Sequence, residues 1–390
     1  MSFKYLTPLT TSYINKQYRL FGFVEEINKE NFLPIRLSGV DVSIANALRR
    51  IFFSEIPTFA FDVDNIKIFV NKSQYNNEVL QKRIGLIAID NNDLKTFNFD
   101  DILFTICDPQ NFTEPLRNTT NDIMLVNLHD YLYVRESSSK LQIDTKTLIP
   151  YDSLLLTLNP GEEIHVVMKA TSGTGNQHSR WQSGIAMYKF ETKWDATDHL
   201  ETNEELMDYI GSEKGKPEAI IITIESVGKL HSYNVLLRGI ETLNQKLNQF
   251  KQNLVNHSYS EVIFVEKNEN IPGMIKLKIF NEDHTLGEIL ESACIDKLME
   301  LTGISWDLPK DSISADLTQP LRQSLISYKK PHPLDNYIEL TVGTSGGEDL
   351  NFPPGEYDEI VDPSIRLVIL AVEDVQKLCQ DLLTDASIMF

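Results

Sequence analysis

Residues 281–290, NEDHTLGEIL, set a carboxylate, an imidazole and a hydroxyl in succession at Asp283, His284 and Thr285. A carboxylate and an imidazole are ordinary ligands for a divalent metal, and water bound there would be a hydrolytic nucleophile. The same residues suit the turn that opens a helix, where short oxygen-bearing side chains accept from free backbone N–H groups. A metal-dependent hydrolase centred on Asp283 and His284 is one reading, and a structural turn is the other. Cys294 follows His284 by ten residues. A thiol–imidazole pair is conceivable there, but an isolated cysteine more often serves as a small buried side chain.

Other stretches invite chemical readings with less force. SGTGNQHSRW contains Gly173 and Gly175 but lacks the GK[ST] of a phosphate loop, so a turn anchored by Trp181 is the better reading. The acid pairs Asp62/Asp64 and Glu204/Glu205 lack any feature that would shift a pKa, and neighbouring acids usually solvate a surface. Cys107, Cys294 and Cys379 are far apart, with no CxxC or Cys/His cluster. Neither a structural zinc site nor a disulfide framework is expected, and no cofactor is implied.

The chain has 390 residues, 42% of them hydrophobic, enough for two or three domains with real cores. Its net charge of −20, from 36 basic and 56 acidic residues, argues against a large nucleic-acid footprint. It suits protein partners, with DNA and RNA reached only indirectly. No apolar run approaches the roughly 18 residues that would span a bilayer, and the N-terminus has no apolar signal core. The expectation is a soluble, intracellular protein with no membrane partner.

The elements that must position these residues show a repeat. After the strand PIRLSG, Ile44, Ala47, Leu48, Ile51 and Phe52 recur at i, i+3, i+4, i+7 and i+8, one apolar helix face. Asp41 and Ser43 both suit its N-cap, and Pro57 ends it. Downstream, MIKLKIF alternates Ile275, Leu277 and Ile279 with lysines. There Leu286, Ile289, Leu290, Ala293 and Cys294 repeat the helix spacing at an offset of 242 residues. Strand, polar turn and amphipathic helix thus occur twice, which reads as an internal duplication. Thr285 and Glu288 form a T-x-x-E capping box, His284 fixes the turn by hydrogen bonding, and Gly287 permits a close backbone approach.

Each half closes with a long helix. Leu236, Ile240, Leu243, Leu247, Phe250 and Leu254 form one heptad stripe; Val368, Ala371, Val375, Leu378 and Leu382 form the other. Either stripe could cover its own sheet or pair with another helix. The chain thus divides into a first strand–helix unit from 1–60 and 191–258, a strand-rich stretch over 61–190, a linker at 259–272, and a second strand–helix unit over 273–390. FDVDNIKIFV, SLLLTLNP, EEIHVVMKA and GIAMYKF are the clearest strands of that stretch. Residues 191–218, with nine acids against three lysines, read as a solvated connection. The segments 302–320 and 343–363 read as loops.

NALRRIFFSEIPT followed by VLQKRIGLIAI resembles the larger of the two α-like subunits of cellular RNA polymerases, in its archaeal form and its eukaryotic third-subunit counterparts. GTGNQHSRWQSGIAMYKF and IESVGKLHSYNVLLRGIETLNQKL resemble that family's later segments. NEDHTLGEIL and SYKKPHPLDNYIEL resemble the smaller α-like partner, again in its archaeal form. The order of these motifs suggests a large and a small α-like subunit fused head to tail, as in large DNA viruses.

The resemblance implies an α+β fold in which 1–60 with 191–258, and 273–390, are dimerisation units that pair with pseudo-twofold symmetry within one chain, with 61–190 inserted in the first as a β-rich domain. It implies an assembly platform for the second-largest and largest polymerase subunits, with further small subunits, and no catalytic residue of its own. It assigns Asn46, Arg49, Arg50, Glu55, Arg83 and Gly85 to the second-largest subunit. Arg180 and Trp181 join them as candidate contacts, because Arg and Trp are common interface anchors. The dimer seam falls to Leu48, Ile51, Leu236, Ile240, Leu243, Leu247, Phe250, His284, Thr285, Leu286, Gly287, Leu290, Val375, Leu378 and Leu382. A viral origin would place the protein in a host cytoplasmic or nuclear transcription compartment, or packaged in a virion. A viral decoy that binds host polymerase subunits is a further alternative. Several members of the larger family carry a cysteine-rich metal loop or an iron–sulfur insert; this chain lacks the cysteines for either, and has Glu288 where Asn is common.

Overall fold

The computed structural model describes residues 5–9, 31–92, 98–138, 142–192, 218–255, 262–267, 273–302, 325–343, 352 and 362–389. The chain opens with β1 (Leu6–Pro8), β2 (Phe32–Ser38), α1 (Val42–Ser54), β3 (Thr58–Asn71) and α2 (Asn77–Gly85). β4 (Ile102–Ile106), β5 (Leu116–Arg117), β6 (Met124–Asn127), α3 (Leu128–Tyr131), β7 (Leu132–Glu136) and β8 (Gln142–Ile143) follow. Next come α4 (Thr145–Leu148), β9 (Leu154–Leu158), β10 (Glu163–Gly173), β11 (Gly184–Phe190), β12 (Ala219–Ser226) and α5 (Ser232–Val255). The last third holds β13 (Ile263–Lys267), β14 (Met274–Phe280), α6 (His284–Thr302), β15 (Leu325–Lys329), β16 (Tyr337–Gly343) and α7 (Pro363–Met389). The fold is α+β, and its sheets are antiparallel.

Alternation gives β14 one buried face, and β2 the same except that Pro34 is buried as well. Leu33, Ile35 and Leu37 on one, and Ile275, Leu277 and Ile279 on the other, turn to the same core. β2 lies in a sheet ordered β1-β2-β12-β11, and β14 in one ordered β13-β14-β16-β15. In each sheet the second strand leads into a helix, α1 or α6, and the third into a longer helix, α5 or α7. The registers correspond as well: Ile35 pairs with Ile222, and Leu277 with Leu340.

Both sheets and all four helices contribute to a single core. α5 packs on α7 and α1, and α7 on α6, so the two apolar stripes meet as helices. Leu236, Ile240, Leu243, Leu247 and Leu254 are fully buried. On α7, Val368, Ala371, Val375 and Leu382 are buried, but Leu378 is half-exposed and Cys379 takes the inner position. Each such buried side chain is worth about 1.5–3 kcal/mol relative to exposure.

A second core lies between α2 and a sheet ordered β3-β10-β4-β7-β8, with β5 also on β10 and β6 paired separately with β9. Hydrogen bonds tie the Asp90–Asn92 segment to the start of α5 and the residues just before it. There Asn91 N donates to Lys229 O (2.7 Å), Arg238 Nη2 donates to Asn91 O (2.7 Å), and Asn92 Oδ1 accepts from His231 N (2.7 Å).

Two expectations change. Gly184–Phe190, read as part of the inserted domain, pairs with β12 in the first sheet. Residues 259–272, read as a linker, contain β13, whose Ile263 is fully buried and pairs with Ile279. Ile263–Lys267 is a short strand at the edge of its sheet. The expected solvated connection lies almost wholly outside the described residues, as do most of the two loops and Glu204/Glu205.

Candidate functional site

The repeated turns are built alike. Asp41 Oδ1 accepts from Ser43 N (2.8 Å) at the start of α1, and Asp283 Oδ1 accepts from Thr285 N (2.9 Å) at the start of α6. The two caps are related by the 242-residue offset. Asp283 therefore caps α6, not Thr285. The helix begins at His284, so Thr285 and Glu288 are already inside it and free for other contacts.

Those contacts join the two helices. Asn46 Nδ2 donates to Glu288 Oε2 (3.2 Å), a pair separated by 242 residues, the same interval. Arg50 Nη2 pairs with Asp283 Oδ2 (2.5 Å) and its Nε donates to Thr285 Oγ1 (2.7 Å). Burial would raise the Asp283 pKa. The backbone and hydroxyl of Thr285 and the Arg50 guanidinium outweigh it, so the carboxyl is held below its ordinary value. Tyr328 Oη donates to Glu288 Oε1 (3.2 Å) and meets His284 Nδ1 at 3.2 Å. Burial and Glu288 push the Tyr328 hydroxyl up to about 12. His284 thus braces Tyr328, while Asp283 fixes the turn.

Two glycines let aromatic rings close on these helices. A Cβ at Gly287 would lie 2.4 Å from the Tyr328 ring, and one at Gly239 on α5 would lie 2.2 Å from the Phe52 ring. The close approach at Gly287 is by a ring, not by backbone. Leu48, Ile51, Leu286 and Leu290 fill the space around them, all buried.

Lys246 on α5 reaches acids from both halves, Glu55 Oε2 at 2.7 Å and Glu282 Oε2 at 3.0 Å. Burial would lower its pKa, but Glu282 and Glu55 outweigh that and hold it above the ordinary lysine value. Burial raises the Glu282 pKa, with Lys246 pulling the other way. Lys297 pairs with Asp374 (2.9 Å) and ties α6 to α7. Asp385 Oδ2, near the end of α7, accepts from Tyr5 N (2.6 Å) and Leu6 N (3.0 Å) at β1. Sequence reasoning missed Lys246 and Asp385. Asp385 carried a signal, since an acid in a helix's last turn opposes the macrodipole and calls for donors.

The remaining predicted contacts divide. Arg49 is half-exposed, and its Nε and Nη2 donate to Asn46 Oδ1 (3.1 and 3.0 Å). Among the described residues it has no carboxylate partner. Phe53, one turn on, is 48% exposed. Glu55 is committed to Lys246. Arg180 and Trp181, expected as surface contacts, are 9% and 7% exposed. Arg180 Nη1 donates to Phe61 O (2.9 Å) and pairs with Asp62 (3.0 Å), while Trp181 Nε1 donates to Thr171 O (2.9 Å) over Gly173. Gly85 lies against Arg180, and Gly175 against the Phe53 carbonyl. Close packing thus accounts for both glycines of the GxG. Arg83 Nε and Nη2 donate to Leu155 O (2.8 Å) and Leu154 O (3.1 Å).

The arrangement joins the two strand–helix units by packing, hydrogen bonds and ion pairs. Both Asp283 oxygens are engaged, and Cys294 is fully buried, its thiol pushed up to about 12. Among the described residues no group of three His, Cys, Asp or Glu side chains could hold a metal.

Comparison with known proteins gives the same direction. Subunit Rpo3 of a DNA-directed RNA polymerase from Pyrococcus furiosus is 25% identical over 266 residues, covering 57% of this chain and 92% of that protein. Subunit 3 of RNA polymerases II, IV and V from Arabidopsis thaliana is 24% identical over 302 residues, covering 74% and 87%. Human RPAC1, a subunit of RNA polymerases I and III, is 31% identical over 174 residues, covering 39% and 49%. Residues 35–247 match the model of the RNA polymerase Rpb3/Rpb11 dimerisation domain, more than half of the chain, and the protein belongs to that family.

Proposed function

We propose that this chain is a non-catalytic assembly subunit of a multisubunit DNA-directed RNA polymerase, in which both arms of an α-like heterodimer are joined in one polypeptide. The observation that carries the reading is the Asn46–Glu288 hydrogen bond at the duplication offset. In a twofold pair, residues on the axis meet their own equivalents. A contact between positions 242 apart, beside caps 242 apart, is what a fused pseudo-dimer would produce. The shared core and the matching strand orders support it, and so do the relatives' names.

In this reading the α1 face carrying Arg49 and Phe53 docks the second-largest subunit. Arg50 and Glu55 hold the two arms together, and Arg180 and Trp181 shape the surface from beneath. The largest subunit, and DNA and RNA, are reached through the complex. A viral enzyme working in a host compartment is the source we infer from the fusion. The test is co-expression with the second-largest polymerase subunit of the same genome. The wild-type chain should be retained on that subunit, and Arg49→Glu should release it while the chain stays folded by circular dichroism. Equal retention of both proteins would refute this docking face.

A further inference from the structure

A cavity of about 410 Å³ opens on the second core, between the end of α2 and the approach to β9. Arg83, Leu86, Leu128, Tyr151, Leu154 and Leu155 line it. Three large apolar side chains stand at its walls in water: Leu86 is 64% exposed, and Tyr151 and Leu154 are 46% exposed. Exposed apolar side chains gathered around one concavity mark a contact surface more than scattered ones do.

The walls are fixed in advance. The Tyr151 ring lies on Gly228, where a Cβ would come within 2.2 Å and where φ is +87°, and its hydroxyl accepts from Asn31 Nδ2 (2.8 Å). Arg83 holds the carbonyls of Leu154 and Leu155 with Nε and Nη2. Its Nη1 makes no bond among the described residues, and neighbouring Lys82, in the same last turn of α2, is exposed and forms no ion pair there. In a chain of net charge −20, an apolar cavity with two uncompensated cations at its rim suits an acidic, apolar segment.

We propose that this cavity anchors a protein segment whose leucine- or phenylalanine-sized side chain enters it, while a flanking Asp or Glu pairs with Arg83 Nη1 and Lys82. The inference rests on the assembly reading in that the segment is placed on the second-largest polymerase subunit. Hot-spot anchors fill well-packed pockets that exclude water, and the fixed walls of this cavity provide one.

The test measures binding of that subunit to the full chain carrying both Leu86→Asp and Leu154→Asp. These side chains are exposed, so the melting temperature should match wild type. Binding should fall at least tenfold, about 1.4 kcal/mol, and Lys82→Glu should weaken it separately and most strongly at low salt. Unchanged affinity in the double variant, with Arg49→Glu still disruptive, would remove the cavity and leave the assembly reading standing. No complex with the wild-type chain would overturn both. A self-association of the chain abolished by the double variant would make the occupant a second copy and overturn the proposal.

Discussion

Lys246 is where a single substitution should most weaken the contact between the two strand–helix units. Its side chain is 20% exposed, and those of Glu55 and Glu282 are 12% and 18% exposed, so all three are largely out of water. Lys246→Met keeps the aliphatic stem and leaves two acids facing each other without a cation. Breaking a buried ion pair by removing one member costs about 3–5 kcal/mol, and the residual exposure here reduces that to about 2–3 kcal/mol.

Replacing the whole cluster (Lys246→Met, Glu55→Gln and Glu282→Gln together) should recover most of the loss, because the penalty lies in the uncompensated charges. Glu282→Gln alone should be mild, since burial already raises that carboxyl's pKa and its charged form opposes folding above the ordinary glutamate value. The lysine's raised pKa gives the opposite window: its contribution is complete below the ordinary lysine pKa and is lost as pH rises through the folded one. The assay is urea denaturation with hydrogen exchange of α1, α5 and α6, near pH 7 and again in strong alkali. Lys246→Met as stable as wild type at neutral pH, or a triple variant worse than the single, would refute the reasoning.

Gly287→Ala and Gly239→Ala should each destabilise by about 1–3 kcal/mol in thermal melts despite alanine's better helix propensity, because each Cβ meets a packed ring. Asn46→Ala and Glu288→Ala should each cost about 1 kcal/mol, and the double variant should cost clearly less than their sum in a double-mutant cycle. Cys107, Cys294 and Cys379 are buried, with thiols pushed up to about 11, 12 and 12. A thiol reagent at pH 8 should therefore label none of them in the native chain and all three in guanidinium.

Much of this was readable in the sequence because strand and helix periods are local signals, and the same local pattern stands twice in the chain. The alternation of Ile275, Leu277 and Ile279, and the 242-residue repeat of the helix spacing, located both strand–helix units. The cap was harder. Two short oxygen-bearing residues competed, and Asp283 takes the role by reaching Thr285 N, which leaves Thr285 and Glu288 for Arg50 and Asn46. β11 was assigned to the wrong sheet because strand pairing is a long-range choice that the segment's own alternation does not encode. β13 is five residues long and beside a turn, so it read as linker. The burial of Arg180 and Trp181 depends on Phe61, Gly85 and Thr171, all distant along the chain or across a strand, and surface-prone residue types pointed the other way.

The stoichiometry of the complex with the second-largest subunit, read by native mass spectrometry, bears most directly on the fused-platform account. One copy of this chain with one copy of that subunit, and no separate α-like protein, is the predicted mass. A free chain, or a complex that needs two copies of it or an added α-like partner, would contradict the account.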